Sequence, residues 1–368
     1  MEATRDTTQS CSGGQAALAA SLASRLADDH ADSNLVLSPL SIYAALALLA
    51  AGARGATLDE ILGVLGAPSR AALDEFLFRV AQDALKDHSE SGGPRVAFAH
   101  GVWTDLACPL KPAYRHAAVT GNLIGSVLRP GSITPLTRVV LGNAMYFKGK
   151  WEKPFDKEDT ANKPFHPPHR RSAIHEELEF PVHRGARRVQ AWRADRNKRT
   201  QFSMCIFLPD AFDGLQSLVD MIASQPGRHD SISTKHLPEE KIDVRKFRLP
   251  KFKLSFHNSL VTVLKKLGLQ LPFSDQADLS DMVEGDESGL PLVQSDVIHK
   301  AVIEVNEEGT EAAASTLMHV AAGCCAMPPS PPPPVDFLAD HPFAYFIVEE
   351  ATGTVVFAGH VLDPFNED

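Results

Sequence analysis

Chemistry along this chain concentrates between Thr310 and Cys325, where Ser315, His319, Cys324 and Cys325 lie among small and apolar residues. A Cys–His pair is the material of a thiol nucleophile. Catalysis, however, needs the base held at fixed hydrogen-bond geometry, and a long connecting segment supplies none. The spacing offers a different chemistry. Side chains alternate along extended backbone. Thr310, Ala312, Ala314, Thr316, Met318, Val320 and Ala322 therefore share one face, and Glu311, Ala313, Ser315, Leu317 and His319 the other. One face is small to apolar, the other polar or small. Such a segment is written to join a sheet.

Its surroundings are those of a loop. The strand-like Val302-Ile303-Glu304-Val305 and the turn-prone Asn306-Glu307-Glu308-Gly309 precede it, and Pro328, Pro329 and Pro331 to Pro334 close it. A connection of about 25 residues without its own helix is unusual, and tends to be functional or disordered. Fourteen extended residues, Thr310 to Gly323, would span roughly 46 Å, the length of a full sheet strand. An alanine-rich flexible linker is the other reading. A plain linker has no need of a period-two pattern.

Elsewhere the motifs of catalysis are missing: no G-x-S-x-G elbow, no phosphate loop and no dinucleotide fingerprint occurs. His175-Glu176-Glu177-Leu178-Glu179 approaches a zinc motif and fails, because Glu179 stands where the second histidine belongs. The acidic group Asp275, Asp278, Asp281, Glu284, Asp286 and Glu287 lacks the alternating ligands and glycine of a calcium loop, and reads as a surface loop. No metal and no cofactor is expected, and the chain is not expected to be an enzyme. A net charge of −10 argues against nucleic acid as a partner. The basic group Arg184, Arg187, Arg188, Arg193, Arg196, Lys198 and Arg199 reads as a solvated hairpin between strands. No apolar run is long enough to span a bilayer, so no membrane partner is expected. Five cysteines in no metal spacing suit a reducing compartment. With no secretory signal visible at Met1 to Gln9, a cytoplasmic or nucleocytoplasmic location is expected, with unconventional release to the extracellular space as the alternative.

The elements that must position the loop follow from pattern. Residues 1 to 13 are polar and expected to be a disordered tail. Leu18, Leu22 and Leu26 predict an amphipathic helix over 15–29. Ser38-Pro39 starts a second helix, Thr57-Leu58-Asp59-Glu60 reads as the capping box of a third, and 73–88 as a fourth. Strands are expected over 96–105, 139–147 (apolar throughout, hence buried on both faces), 252–256, 343–349 and 354–361. Helices first, then many strands without regular βαβ alternation, means α+β.

Five segments carry a family resemblance. Val305 to Ala314 resembles the hinge of the serpins, in particular of the plant Z-type branch. Asn34 to Ile42, Asn143 to Trp151, Ala339 to Phe343 and Thr354 to Val361 resemble four more family segments, in the right order. The resemblance runs from about Gln15 to Pro364. It implies a single domain over 14–368 with three β-sheets, surrounding helices and an exposed reactive-centre loop at about 309–334. It also implies a short helix, an edge strand and a long covering helix before the 139–147 strand. Between Thr120 and Val139 there is no room for the last two, so both are expected to be deleted, leaving the 139–147 strand with an exposed apolar patch.

The activity implied is inhibition of proteases by a suicide mechanism: the loop is cut, and its upstream arm enters the large sheet as a strand. The hinge and inserting residues are then Glu307, Glu308, Gly309, Thr310, Glu311, Ala312, Ala313, Ala314, Ser315 and Thr316. Counting from the hinge, the reactive bond is Gly323–Cys324. Small residues before that bond imply a target serine protease, or a cysteine protease, with a small specificity pocket, met by a monomer. The alternative is a non-inhibitory or degenerate serpin-like protein, because the covering helix is missing and the cleavage site is atypical.

Overall fold

A serine hydroxyl and a proline ring start the helix on which the molecule is built. In the computed structural model, the Ser41 amide donates to Ser38 Oγ at 3.2 Å and Pro39 takes the first helical position, where no amide partner is needed. The structure describes residues 2–87, 89–91, 94–105, 108–114, 137–149, 151, 154–167, 173–180, 188–189, 202–224, 244–284, 292–307 and 335–366. The helices are α1 (Glu2–Asp29), α2 (Pro39–Gly52), α3 (Gly55–Leu65), α4 (Arg70–Asp83), α5 (Leu215–Ser224) and α6 (Val261–Lys266).

The strands are β1 (Leu35–Leu37), β2 (Arg95–Thr104), β3 (Val139–Lys148), β4 (Ala161–Phe165), β5 (Ala173–Phe180), β6 (Arg188–Val189), β7 (Phe202–Phe207), β8 (Val244–Pro250), β9 (Phe252–Ser259), β10 (Gln294–Val305), β11 (Val335–Leu338), β12 (Phe343–Glu349) and β13 (Thr354–Val361). Among the described residues they form three sheets, ordered β1-β13-β12-β7-β6, β2-β3-β10-β9 and β11-β8-β5-β4. The α+β class and the three sheets are as the sequence implies.

The core lies between the first two sheets. Phe147 on β3 meets Phe202 and Phe357 with ring centres 5.5 and 5.7 Å apart, and Phe252 on β9 meets Phe343 and Tyr345. Helix α2, buried along nearly its whole length, closes one end of this layer. Trp151, Phe155, Phe247 and Phe337 form an aromatic chain that ties the head of the second sheet to the third.

Several expectations are corrected. Residues 2–13, expected as a disordered tail, are helical, so α1 begins at Glu2. Tertiary contacts hold that turn: Cys11 is fully buried, and Ser12 Oγ donates to the Thr352 carbonyl at 2.9 Å. One turn further on, Gln15 donates to the Val355 carbonyl at 2.7 Å and accepts from its amide at 2.9 Å, so a helix side chain pairs with a strand's backbone. Thr57 and Glu60 do not form a capping box. Their oxygens accept the amides of Asp278 and Leu271 instead, fastening the acidic loop to α3, which starts at Gly55. The fourth helix is Arg70–Asp83 rather than 73–88, capped by Ser69. Strand β3 shows no exposed patch. Val140 and Ala144 are buried and cluster with Ile298, with Trp103 packed against them. The expected deletion between Thr120 and Val139 falls largely outside the described residues.

Two glycines set the contact between α1 and α3. Gly66 ends α3 at a φ of +59°, and a Cβ on Gly14 would lie 2.2 Å from the Leu65 carbonyl oxygen. Gly14→Ala must push the helices apart. A loss of about 2 kcal/mol in a urea melt is expected, in the range for overpacking a tight contact.

The chain's beginning and end are also joined. Asn34 donates to the carbonyls of Asp363 and Asn366, each at 2.7 Å, and accepts from the amides of Leu362 and Asp363.

Candidate functional site

Where could an extra strand enter this molecule? In the second sheet β2 and β9 run antiparallel to their neighbours, whereas β3 and β10 run parallel to each other, from Gln294 opposite Val139, past one extra residue at Ser295, to Glu304 opposite Lys148. Parallel pairing is slightly weaker per residue than antiparallel. Strand β10 leads directly toward the expected hinge at Glu307 to Gly309, so an arm folding back from there would run antiparallel to both β10 and β3. Its insertion would exchange one parallel ladder for two antiparallel ones. On the other side of β10 the place is taken by β9. The seam between β3 and β10 is closed, and side chains fasten it at its head and at its middle.

At the head, the carboxylate of Glu304 on β10 receives Lys148 Nζ of β3 at 2.9 Å, the Tyr146 hydroxyl at 3.4 Å and the Asn306 amide group at 2.8 Å. Trp151 Nε1 donates to the Asn306 carbonyl at 2.7 Å. Glu307 follows, almost buried, accepting from Lys251 Nζ at 2.9 Å and from the Thr160 hydroxyl at 3.1 Å. Burial pushes its carboxyl group up. Its own backbone amide, Lys251 and Thr160 outweigh that and hold it below the usual range.

This anchor contributes stability above the ordinary carboxylate pKa, and loses it as pH falls through the depressed folded value. Glu307→Gln removes the charge that faces Lys251 here. A loss of about 1–3 kcal/mol at pH 7, the range for a bond to a charged group, is expected by urea melting, shrinking in acid as the native carboxylate is protonated.

At mid-seam, Asn143 on β3 and His299 on β10 face each other, both fully buried. The Ser38 amide donates to His299 Nε2 at 3.0 Å, which leaves the proton on Nδ1, aimed at Asn143 Oδ1 2.5 Å away. Ser41 Oγ donates to the same oxygen at 2.8 Å, and Asn143 Nδ2 reaches the Ile298 carbonyl. The cap of α2 and the two central strands are therefore one polar network inside the core. Burial, and secondarily the charge of nearby His257, pushes His299 down to about 3, so the ring is neutral at pH 7.

Of the residues the sequence singles out, Glu307 is placed, at the head of the seam. Glu308, Gly309, Thr310, Glu311, Ala312, Ala313, Ala314, Ser315, Thr316, Gly323 and Cys324 lie outside the described residues. The sequence reading did not name Asn143, His299, Ser38, Ser41, Lys251 or Thr160 as site residues. A polar Asn143 inside the otherwise apolar 139–147 run was the available signal, whereas His299 stands in a strand that also holds Asp296, Lys300 and Glu304 and does not stand out. Lys251 and Thr160 carry none.

Comparisons with known proteins agree with this geometry. The family model described as Serpin (serine protease inhibitor) matches residues 14–122 and 117–364. The putative serpin-Z8 of Oryza sativa subsp. japonica is 47% identical, covering 97% of this chain and 96% of its own length. Serpin-Z2B of the same plant is 42% identical, over 96% of this chain and 97% of its own length. Among solved structures, that of Arabidopsis AtSerpin1 in its native stressed conformation superposes with a TM-score of 0.84 at 32% identity, covering 98% of this chain and 99% of the other.

Proposed function

The chain belongs to the serpin family, and from that premise we propose that it inhibits its target protease as an irreversible suicide substrate. The observation that carries the reading is the closed parallel pairing of β3 and β10, with the hinge leaving directly from β10. A protease attacks the loop and forms an acyl-enzyme. The freed arm from Thr310 onward then adds to the sheet through main-chain hydrogen bonds, carrying the protease with it before deacylation. Serpin loop insertion is itself a standard instance of strain released by proteolysis. The chain acts as the trap and not as the catalyst.

Gly309 supplies backbone freedom where the arm must bend inward, and Thr310, Ala312, Ala314 and Thr316 are small enough to enter. Gly323–Cys324 is the bond offered. Ala322-Gly323 before it suits a serine protease with a small, elastase-like pocket and gives a trypsin-like pocket no charge to pair with. A cysteine protease of similar preference is the second class of target. The inhibitor acts as a monomer, in the cytoplasm or nucleocytoplasm. The weak anchor that Gly323 gives any pocket favours one alternative, a serpin that is cut without holding its protease.

Incubation with elastase-like and trypsin-like proteases, read on a denaturing gel, decides between them. An SDS-stable complex, together with a clipped form that melts well above the intact one, is the expected result. A clipped chain alone, melting no higher than before, overturns the inhibitor reading.

A further inference from the structure

We propose that the groove between the end of α1 and the start of α5 is a binding site for a small organic cation with a flat apolar body, an aromatic amine in the simplest case. The site shares no residue with the β3–β10 seam and does not depend on the inhibitor reading.

The groove encloses about 1170 Å³, slightly more than the roughly 300–1,000 Å³ of a small-molecule site. Its base is firm. Ala27 of α1, Leu215 and Val219 of α5, Ala344 of β12 and Leu362 form a buried apolar cluster, with Phe207 of β7 packed against it. Ala27, Leu215 and Leu362 of that cluster line the groove.

Phe212 also lines it and is 57% exposed. A single exposed apolar side chain is ordinary on a protein surface, but this one is held in place. The Gly214 amide donates to the Ala211 carbonyl at 2.9 Å, closing a turn with Phe212 and Asp213 at its tip. The Phe212 ring meets His166 edge-on with centres 5.3 Å apart, and His341 at 4.8 Å. His341 is itself fixed. It is buried, with Nδ1 2.8 Å from Asp340 Oδ1 and Nε2 2.8 Å from the Pro209 carbonyl oxygen. A ring positioned in this way leaves a ligand little ordering to impose.

Charge selects the occupant. Asp213 beside Phe212 and Asp28 on the last turn of α1 both line the groove, and both are exposed. Gln216 Nε2 donates to Asp28 Oδ1 at 2.7 Å, which orients that carboxylate. Neither Asp28 nor Asp213 has an ion pair among the described residues. The adjacent Asp29 is the one that takes Lys266, at 2.8 Å. No lysine or arginine lines the groove, and burial pushes the lining His360 down to about 4. The lining therefore sets two carboxylates against no fixed cation. A neutral or anionic apolar ligand would desolvate those carboxylates without compensation. An ammonium pairs with them while its ring lies on Phe212, whose face also attracts a cation.

Tryptamine, an indole ring carrying an ammonium group, is the probe. Titrated into the full chain in a calorimeter at low salt, it is expected to bind with sub-millimolar affinity and, at saturation, to raise the melting temperature. Indole-3-propionate, similar in size but opposite in charge, is expected not to bind. Phe212→Ala should weaken tryptamine about 2- to 30-fold, the range for a cation on an aromatic face. Asp28→Asn and Asp213→Asn should each weaken it up to about fivefold, the range for an exposed ion pair, and the double variant should lose the salt dependence. All three positions are exposed, so the variants are expected to melt as wild type does. Asp220→Asn removes a nearby carboxylate outside the lining and should leave the affinity unchanged. Absence of tryptamine binding at millimolar concentration would overturn the proposal. So would equal binding of indole-3-propionate, the mark of a merely greasy cleft, or wild-type affinity in both Phe212→Ala and the double variant. A loss in Asp220→Asn equal to that in the double variant would assign the binding to general surface charge and overturn it as well.

Discussion

Ala312→Pro is expected to yield a chain that proteases cut but do not hold. Position 312 is the third after Gly309, so it would enter the seam early, just inside the head fastened by Glu304, Trp151 and Glu307. On the proposed mechanism the gain on insertion would come from trading one parallel ladder for two antiparallel ones, each arm residue contributing through its backbone. Proline has no amide to contribute and is excluded from central strands. One buried acceptor left without a donor costs about 1–3 kcal/mol, and a barrier raised by that much slows insertion about 5- to 150-fold. Deacylation then wins. Thr310→Arg reaches the same end by another route, forcing a long charged side chain past a head that is already packed. On a denaturing gel both variants should show clipped chain and no SDS-stable complex. A complex persisting at wild-type yield in either would mean that the arm does not enter between β3 and β10.

The second large effect is acid sensitivity. Native stability should fall by about 4 kcal/mol between pH 7 and pH 5, about 2 kcal/mol for each of two buried histidines. His299 is pushed down to about 3 and His360 to about 4, in both cases mainly by burial. His360 lies under α1, its Nε2 at 2.9 Å from the Ser33 carbonyl. In the unfolded chain each ring takes up a proton near pH 6.5. Below that value the unfolded state binds protons that the native state refuses. The stability is therefore intact above about pH 6.5 and declines as pH falls toward the folded values. Urea melts at the two pH values measure the loss. His299→Gln should lower stability at pH 7 and remove about half of the acid dependence. An unchanged pH profile in that variant would show that His299 is not held neutral by the Ser38–Asn143 network.

How much of this was legible beforehand differs from one residue to the next. The fold class, the apolar β3, the β12–β13 hairpin and the start of α2 at Ser38-Pro39 could be read directly, because each rests on local pattern or on a cap made within four residues. The hinge expected from Gly309 and the alternation after it lies outside the described residues, apart from Glu307. Thr57 and Glu60 misled, since their oxygens serve Asp278 and Leu271 rather than their own helix. Residues 2–13 misled as well. Their polar composition predicts a tail, but Cys11, Ser12 and the two facing glycines dock them onto α3 and the last hairpin. The seam's middle clasp was not legible, because Asn143 and His299 become partners only through a parallel register across 156 residues of chain. Lys251 lies next to no other site residue in sequence, and only the fold brings it to Glu307.

The bonds that join Gln15 to Val355 and Asn34 to the final turn bear on the order in which a ribosome delivers this chain. Asn34 leaves the ribosome 328 to 332 residues ahead of its partners Leu362, Asp363 and Asn366. Contacts of such sequence separation form slowly and late. The growing chain must therefore hold α1, α2 and the emerging sheets without their finished core. It does so after residues 310–334 have been synthesised and before β12 and β13 exist to seal the layer behind them. On the proposed mechanism, a delay in completing those two strands would lengthen the interval in which the arm could fill the seam uncut, which would make prompt synthesis of the β12–β13 hairpin a condition for an inhibitor of this kind.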